Sequence, residues 1–392
     1  MQKSKTFFTI RNTVIIFALM AFYCIVKNFD YSINSLYVLF LGDFSIAIAP
    51  RMLVGAILSI FKDTFTPEWM LSFLKIVTAT TFFLTALYVS TCITEIKEDN
   101  KQIILILTGI FIAFPFSITI FAGDIFGFID VFCMLVLLLC AFAVENKYLL
   151  WAFPVLICAG IFVHDAYITA YMAPCFGILI YYATTKYKIS KNSISAFVVS
   201  TVVCFSTVFY RLFFSTKSVK MSEAEMLDYL AQKGSCTVED VSGYIEVFLY
   251  GKDVHKFSDI DYADNIFVLL KNMIKLAIDQ FSAADLFCIL SIIPALAIFF
   301  RIWIKASKNA NGFFGKLPYI LFMLTIIPQI ASLFISVDVS RFVSTFIIAQ
   351  FLYLFMCIKR KDENVFAGLD WLKENIQHLL IPCLSVLIFN II

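Results

Sequence analysis

The chain has 392 residues, of which 61% are hydrophobic and 15% charged, and its mean hydropathy is +0.91. A formal net charge of +2 is too small an excess of positive charge to indicate nucleic-acid binding. Apolar runs recur from residue 11 to the C-terminal end, which excludes a soluble globular domain. The composition therefore predicts an all-α, polytopic integral membrane protein, with a single membrane domain over residues 1–392 embedded in the lipid bilayer.

Eleven apolar runs approach the roughly 20 residues that a helix needs to cross a bilayer. The first is interpreted as an uncleaved helix rather than a signal peptide, because no small-x-small cleavage pattern follows it. The predicted spans are 9–27, 69–93, 102–122, 125–144, 148–163, 166–185, 194–213, 284–304, 317–336, 341–358 and 375–392.

Basic residues collect in every second short loop. They are Lys3, Lys5, Arg11, Lys97, Lys101, Lys147, Lys186, Lys188, Lys191, Lys305, Lys308, Lys316, Lys359, Arg360 and Lys361. Because short cytoplasmic loops carry an excess of Lys and Arg, this pattern predicts a multi-pass protein of the plasma (inner) membrane. The N-terminus is expected in the cytoplasm and the C-terminus outside.

Two longer outer regions interrupt the pattern. The first, 28–66, is apolar enough to cross, but it contains Asp43, Pro50 and Arg51, and a single crossing would reverse the orientation of every later loop. It is therefore predicted to form two surface helices or a re-entrant pair. The second is a large extracytoplasmic loop, 214–283, which follows the seventh span.

The long loop contains two helical patterns. Ser222, with Glu225 three residues later, predicts an N-capped amphipathic helix. The apolar spacing over 266–278 predicts a second helix that lies along the membrane.

Ionisable residues at the outer ends of the spans are the candidate site residues, because charges inside a bilayer are costly and functional. Asp130 lies six residues, about 9 Å, further into its helix than Asp124, which is at the outer turn. A carboxylate at that depth needs a partner or a watery cavity. The candidates are Asp43, Arg51, Asp124, Asp130, His164, Asp165, Asp338 and Arg341.

Most candidates also have an ordinary structural interpretation, and Asp124 can simply cap the start of a helix. Asp338 and Arg341 are three residues apart and can form a local ion pair at a helix start. Arg51 can extend its charged end to the membrane interface. His164 and Asp165 can be a polar turn between two helices.

Together, the cations and carboxylates at one face suggest a site for a phosphate-bearing, membrane-embedded substrate. Arginines and His164 would hold the phosphate, with Asp165 orienting the His164 ring, and a carboxylate would act as general base. The sequence contains no Walker loop, no H-E-x-x-H, no G-x-S-x-G and no Cys/His metal spacing.

The order of these parts resembles the type C glycosyltransferase superfamily. The resemblance is carried by the acidic first outer region, by the long loop after the seventh span, and by three short stretches in outer turns. These stretches are Leu41-Gly-Asp43, Gly123-Asp124 and Val163-His-Asp165. It implies an inverting glycosyltransferase that transfers sugar from a polyprenyl-phosphate-linked donor to a glycan or lipid acceptor during bacterial cell-envelope polysaccharide biosynthesis.

The same resemblance implies roles for individual residues. Asp43 would be the base that deprotonates the acceptor hydroxyl, with Asp30, nearer the first helix, as its rival. Asp124 would orient the acceptor or bind a divalent metal. The residues that would stabilise the leaving lipid phosphate are His164, Arg341 and Arg51.

Two other functions stay open from the sequence. An O-antigen or capsule-type polymerase would also act on polyprenyl-linked glycans, but it typically relies on outer-loop arginines, and 214–283 is poor in arginine. A transporter or flippase would spread polar residues along the depth of several helices, whereas here they cluster near one face.

Overall fold

A computed structural model describes residues 2–26, 33–94, 98–114, 116–122, 126, 128–186, 189–214, 218, 220–242, 274–275, 278–335 and 339–391. Within these ranges the protein is all-helical and contains no strand, as the composition predicts. The α-helices are α1 Gln2–Val26, α2 Ile33–Phe40, α3 Leu53–Ser59, α4 Pro67–Thr94, α5 Glu98–Ala113, α6 Asp130–Ala143, α7 Phe153–Val163, α8 Met172–Thr185, α9 Lys191–Phe213, α10 Glu223–Gly234, α11 Ala283–Asn309, α12 Gly312–Leu324, α13 Ile326–Ile335, α14 Val339–Lys359, α15 Glu363–Glu374 and α16 Leu380–Ile391. A π-helical turn, Tyr167–Tyr171, leads into α8, and short 3₁₀ turns are Ile118–Ala122, Leu149–Ala152 and Ile376–Leu379.

Seven helical segments among the described residues are long and apolar enough to cross a membrane, so a multi-pass membrane protein is confirmed. They are Pro67–Thr94, Asn100–Phe121, Tyr167–Thr185, Lys191–Phe213, Ala283–Asn309, Gly312–Leu333 and Val339–Lys359. Shorter apolar helices occupy the positions of the other predicted spans, at Thr6–Phe22, Asp130–Ala143, Leu149–Val163 and Ile376–Val386. The count of eleven and the orientation of the termini remain predictions.

Helix α14 forms the centre of the bundle. It is apolar on all sides, and a helix with that pattern is stable only when surrounded by protein; 94% of its apolar stretch is buried. Its one buried amide, Gln350, accepts a 2.6 Å hydrogen bond from Trp303 Nε1 and donates to the Phe322 carbonyl at 3.0 Å. These bonds fix α14 against α11 and α12 without leaving the amide unsatisfied in the core.

Helix α9 lies at the periphery. Only 28% of its apolar stretch is buried, and large apolar side chains, including Val202, Phe205 and Phe209, are exposed along it. An apolar surface of this length is expected to face lipid in a membrane protein.

The two ends of the bundle carry different sets of ion pairs. At one end, called the lysine end, Lys359 Nζ contacts both carboxylate oxygens of Glu145 at 2.6 Å, and Lys186 donates to the Glu145 carbonyl. The opposite end, called the arginine end, carries Arg51, Arg211 and Arg341. The loops around Glu145, Lys186 and Lys359, which the charge pattern assigns to one face, do meet in the structure.

The two longer regions that the sequence analysis predicts to lie outside contain helices. Helix α10 begins after Ser222 with a reciprocal capping box to Glu225, which confirms that prediction. The first region contains the short helices α2 and α3, whose depth in the membrane remains a prediction. The helix predicted over 266–278 lies almost wholly outside the described residues.

Candidate functional site

Residues 41–52, the segment that joins α2 to α3, carry two of the predicted site residues. The segment packs so closely on α3 that a Cβ atom at Gly55 would lie 2.0 Å from the Gly42 carbonyl oxygen. At its end, Arg51 has a positive φ of 72°, a conformation that costs free energy for a residue with a Cβ atom. Its backbone N–H donates to the Phe162 carbonyl at 2.9 Å, which brings Arg51 to the end of α7.

Asp43 lies in a buried cluster with the long loop. Its Oδ2 accepts hydrogen bonds from Lys233 Nζ and from the Tyr229 hydroxyl at 2.6 Å, while Oδ1 accepts from the Ser45 N–H at 2.8 Å. Burial would raise the pKa of Asp43, but these donors and the Lys233 charge outweigh burial and lower the pKa below its usual value. Asp43 is therefore ionised and engaged through both oxygens.

His164 ends α7, and its two ring nitrogens have different partners. Nδ1 accepts a hydrogen bond from the Ala166 N–H at 2.8 Å, and Nε2 lies 3.2 Å from Arg51 Nη2. Because a neutral imidazole carries one proton and Nδ1 is an acceptor, the proton is on Nε2. The Nε2–H and the Arg51 guanidinium are then two donors held 3.2 Å apart without a hydrogen bond between them, and an anion that accepts from both would satisfy them.

Asp165, next to His164, pairs with an arginine that the sequence analysis did not select. Arg211 Nε and Nη2 donate to the two Asp165 oxygens at 2.6 and 2.9 Å. The expectation that Asp165 orients the His164 ring is thus wrong, because the Ala166 N–H makes that contact. Arg211 ends the predicted span 194–213, so the criterion of ionisable residues at outer span ends would have found it.

Asp130 and Arg341 form the buried ion pair of this end. Arg341 Nη2 donates to Asp130 Oδ2 at 2.6 Å, and their side chains are 9% and 2% exposed, respectively. The guanidinium carbon also lies 4.7 Å from the centre of the Phe128 ring. The predicted need of Asp130 for a partner is confirmed, and that partner is 211 residues away in the sequence.

These three pairs, Arg51–His164, Arg211–Asp165 and Arg341–Asp130, are together called the arginine cluster. Its members are Arg51, Asp130, His164, Asp165, Arg211 and Arg341. Burial and the charges of Arg51, Arg341 and Arg211 hold the pKa of His164 well below its ordinary value of 6.5. The neutral ring therefore lies within electrostatic range of three guanidinium groups.

The π-helical turn that follows His164 is fixed by α13. Gln329 Nε2 donates to the Ala170 carbonyl at 2.9 Å, and the Ser332 hydroxyl donates to Thr169 Oγ1 at 2.6 Å. A π-helical turn widens the helix and is frequent at functional sites. Here it helps to set the position of the chain at His164.

The predicted site residues thus divide into three groups. Arg51 joins His164, and Asp130 joins Arg341, within the arginine cluster, where Asp165 also lies. Asp43 sits on the same segment as Arg51 but in the separate cluster with α10, whose Lys233 and Tyr229 carried no signal in the sequence. The remaining candidates lie outside the described residues: Asp124, Asp338 and the rival base Asp30.

No group of His, Cys, Asp or Glu side chains within the described ranges is arranged to hold a metal ion. The predicted divalent metal site involves Asp124, which those ranges do not include, so it stays a prediction.

Comparisons with protein-family models, with curated proteins and with solved structures found no match. Fold and site together define a class: a multi-pass helical membrane protein with a buried arginine–histidine cluster at one end of its bundle.

The low pKa of His164 makes the stability of the protein depend on pH. As pH falls below about 6.5, the unfolded chain binds a proton on this residue that the folded protein does not. The free energy of unfolding is therefore expected to fall, by up to about 1.4 kcal/mol per pH unit from this group. Thermal unfolding of wild type and His164→Gln between pH 7.5 and 5.5 measures the difference, with His378→Gln as the control; parallel profiles for wild type and His164→Gln would contradict it.

Proposed function

We propose that this protein is a membrane-embedded glycosyltransferase. It transfers a sugar from a polyprenyl-phosphate-linked donor to a glycan or lipid acceptor on the extracytoplasmic face of a bacterial plasma membrane. The arginine end of the bundle would be the extracytoplasmic end, as the positions of the basic loops predict.

One observation carries the proposal: the buried ring of His164 and the guanidinium of Arg51, both hydrogen-bond donors, are held 3.2 Å apart within the arginine cluster. Phosphate oxygens accept from such donors, and arginine suits phosphate because its planar donors match the oxygen geometry. The apolar exterior of helices such as α9 supports a donor that is itself held in the membrane.

The reaction would increase the charge on this phosphate. The acceptor hydroxyl oxygen attacks the anomeric carbon while the bond from that carbon to the phosphate oxygen breaks, and the bonding electrons leave with the phosphate. The hydroxyl proton passes to a carboxylate. A phosphodiester with one negative charge becomes a monoester with two, so donors at Arg51 and His164 stabilise the transition state more than the bound donor.

The test is a transfer assay with the full chain in lipid nanodiscs. Polyprenyl-phosphate-linked hexoses are supplied with a lipid or oligosaccharide acceptor, and the release of polyprenyl phosphate is measured. We expect release by wild type and by His378→Gln, and a loss of about 10²-fold or more in His164→Asn. Failure of folded wild-type protein to consume any such donor would overturn the proposal.

Arg211 favours a second candidate function, a polysaccharide polymerase. It adds a third guanidinium to the cluster. Asp165 and Asp130 offset the charges of Arg211 and Arg341, but the larger number of N–H donors suits the additional oxygens of a polyprenyl-diphosphate donor. The same assay with diphosphate-linked oligosaccharides separates the two, because a polymerase would consume only the diphosphate donor and extend its glycan.

A further inference from the structure

Helix α10 of the long loop docks on segment 41–52 through the carboxylate of Asp43. Lys233 and Tyr229 lie one turn apart on α10 and both donate to Asp43 Oδ2, which also accepts from the Ser59 hydroxyl at 3.2 Å. The Lys233 and Asp43 side chains are only 2% and 3% exposed. A substrate could not reach this carboxylate without displacing α10.

The chain before α10 holds the same segment by its backbone. Lys220 donates to the Phe44 carbonyl through Nζ at 2.8 Å and to the Ile46 carbonyl through its N–H at 2.9 Å. The Tyr210 hydroxyl donates to the Ile48 carbonyl at 3.1 Å. Three alternate carbonyl groups are thus fixed before the segment reaches Arg51.

A buried ion pair of this kind responds in a characteristic way to substitution. Removing one partner leaves an uncompensated buried charge and is strongly destabilising, whereas replacing both partners by well-packed uncharged residues of similar volume is often close to neutral. A catalytic base gives the opposite pattern, because a second substitution cannot restore a missing carboxylate.

We infer that Lys233 and Tyr229 are positioning residues that act through Asp43 to hold segment 41–52, so that Asp43 anchors Arg51 and another carboxylate is the base. This inference rests on the proposed function for the phosphate that Arg51 binds. It replaces the role of base that the resemblance implies for Asp43.

The first measurement reports on segment 41–52 without any substrate. A cysteine at the buried position Ile46, in a Cys236→Ala background of the full chain, is labelled with a membrane-impermeant maleimide. We expect slow labelling in the background protein, labelling at least about tenfold faster with Lys233→Met or Asp43→Asn, and slow labelling again in the double variant Asp43→Asn/Lys233→Met. Gln232→Met, on the exposed side of α10, is the matched control and should stay slow.

The second measurement separates an anchor from a base. The probe is citronellyl phosphate, whose binding to each variant in nanodiscs is compared with the donor KM and kcat. If Asp43 is an anchor, Lys233→Met and Asp43→Asn should each bind the probe about tenfold more weakly than wild type. The double variant should bind it within about threefold of wild type and should regain the wild-type kcat. If Asp43 is the base, Asp43→Asn binds the probe normally, and kcat is lost in the single and double variants alike, which would overturn the inference.

The outcomes for the proposed function and for this inference are distinct. A wild-type protein that transfers no sugar contradicts the proposed function, while the labelling pattern still decides whether Lys233 and Asp43 hold segment 41–52. Equal labelling rates in the single and double variants would overturn the inference that Asp43 anchors Arg51, even if the enzyme is active.

Discussion

Arg341→Met is expected to lower the free energy of unfolding by about 3–5 kcal/mol. The Asp130 side chain is only 2% exposed, and its carboxylate has Arg341 as its ion-pair partner at 2.6 Å. Without the guanidinium, a carboxylate at this depth must stay charged in an apolar surrounding or take up a proton, and both are costly. Unfolding titrations of the purified protein in mixed detergent micelles containing SDS measure the change.

A rescue variant and a control make this prediction specific. Adding Asp130→Asn to Arg341→Met replaces the buried charge by a neutral amide and is expected to recover most of the loss. Arg211→Met is the control, because the Asp165 side chain of its ion pair is 36% exposed. Water can solvate the carboxylate that this substitution leaves behind, so the free energy of unfolding should fall by about 1 kcal/mol or less. Equal losses for the two arginines, or no recovery in the double variant, would contradict the burial argument.

The helical class and the local helix signals were predictable from the sequence because they depend on neighbouring residues. Apolar runs identify helices in a membrane protein without knowledge of any contact. The capping box of α10 likewise needs only Ser222 and Glu225, which are three residues apart. Selecting Asp130 and Arg341 as candidates needed only their positions at or near the ends of the predicted spans.

The partners of the site residues were not predictable, because they are set by packing between distant segments. Asp43 and Lys233 are 190 residues apart, and nothing in the pattern of α10 shows that this lysine faces inward. Sequence proximity was also misleading for Asp165. The neighbouring His164 looked like its partner, whereas in the turn after α7 the Asp165 carboxylate pairs with Arg211.

Arg51→Gly is expected to lower donor turnover about 10²- to 10³-fold while the protein remains as stable as wild type or becomes up to about 1 kcal/mol more stable. The two effects separate because the residue combines a functional side chain with a strained backbone. At a φ of 72° glycine relieves the Cβ clash, which offsets its greater freedom in the unfolded chain. The guanidinium 3.2 Å from His164 Nε2 is lost, and with it the charge that, in the proposed function, would stabilise the leaving phosphate.

Ile189→Gly is the matched control, because Ile189 also has a positive φ, of 55°, but lies in the turn between α8 and α9 at the lysine end. Relief of its strain should raise stability in the same way and leave turnover unchanged. Thermal unfolding gives the stability of each variant, and polyprenyl phosphate release gives its turnover; both are measured on the same preparations. Full turnover in Arg51→Gly would show that Arg51 is not part of the phosphate site. Unfolding of that variant would instead show that the contact with His164 is required for the structure. The strained backbone at Arg51 would then have no functional explanation.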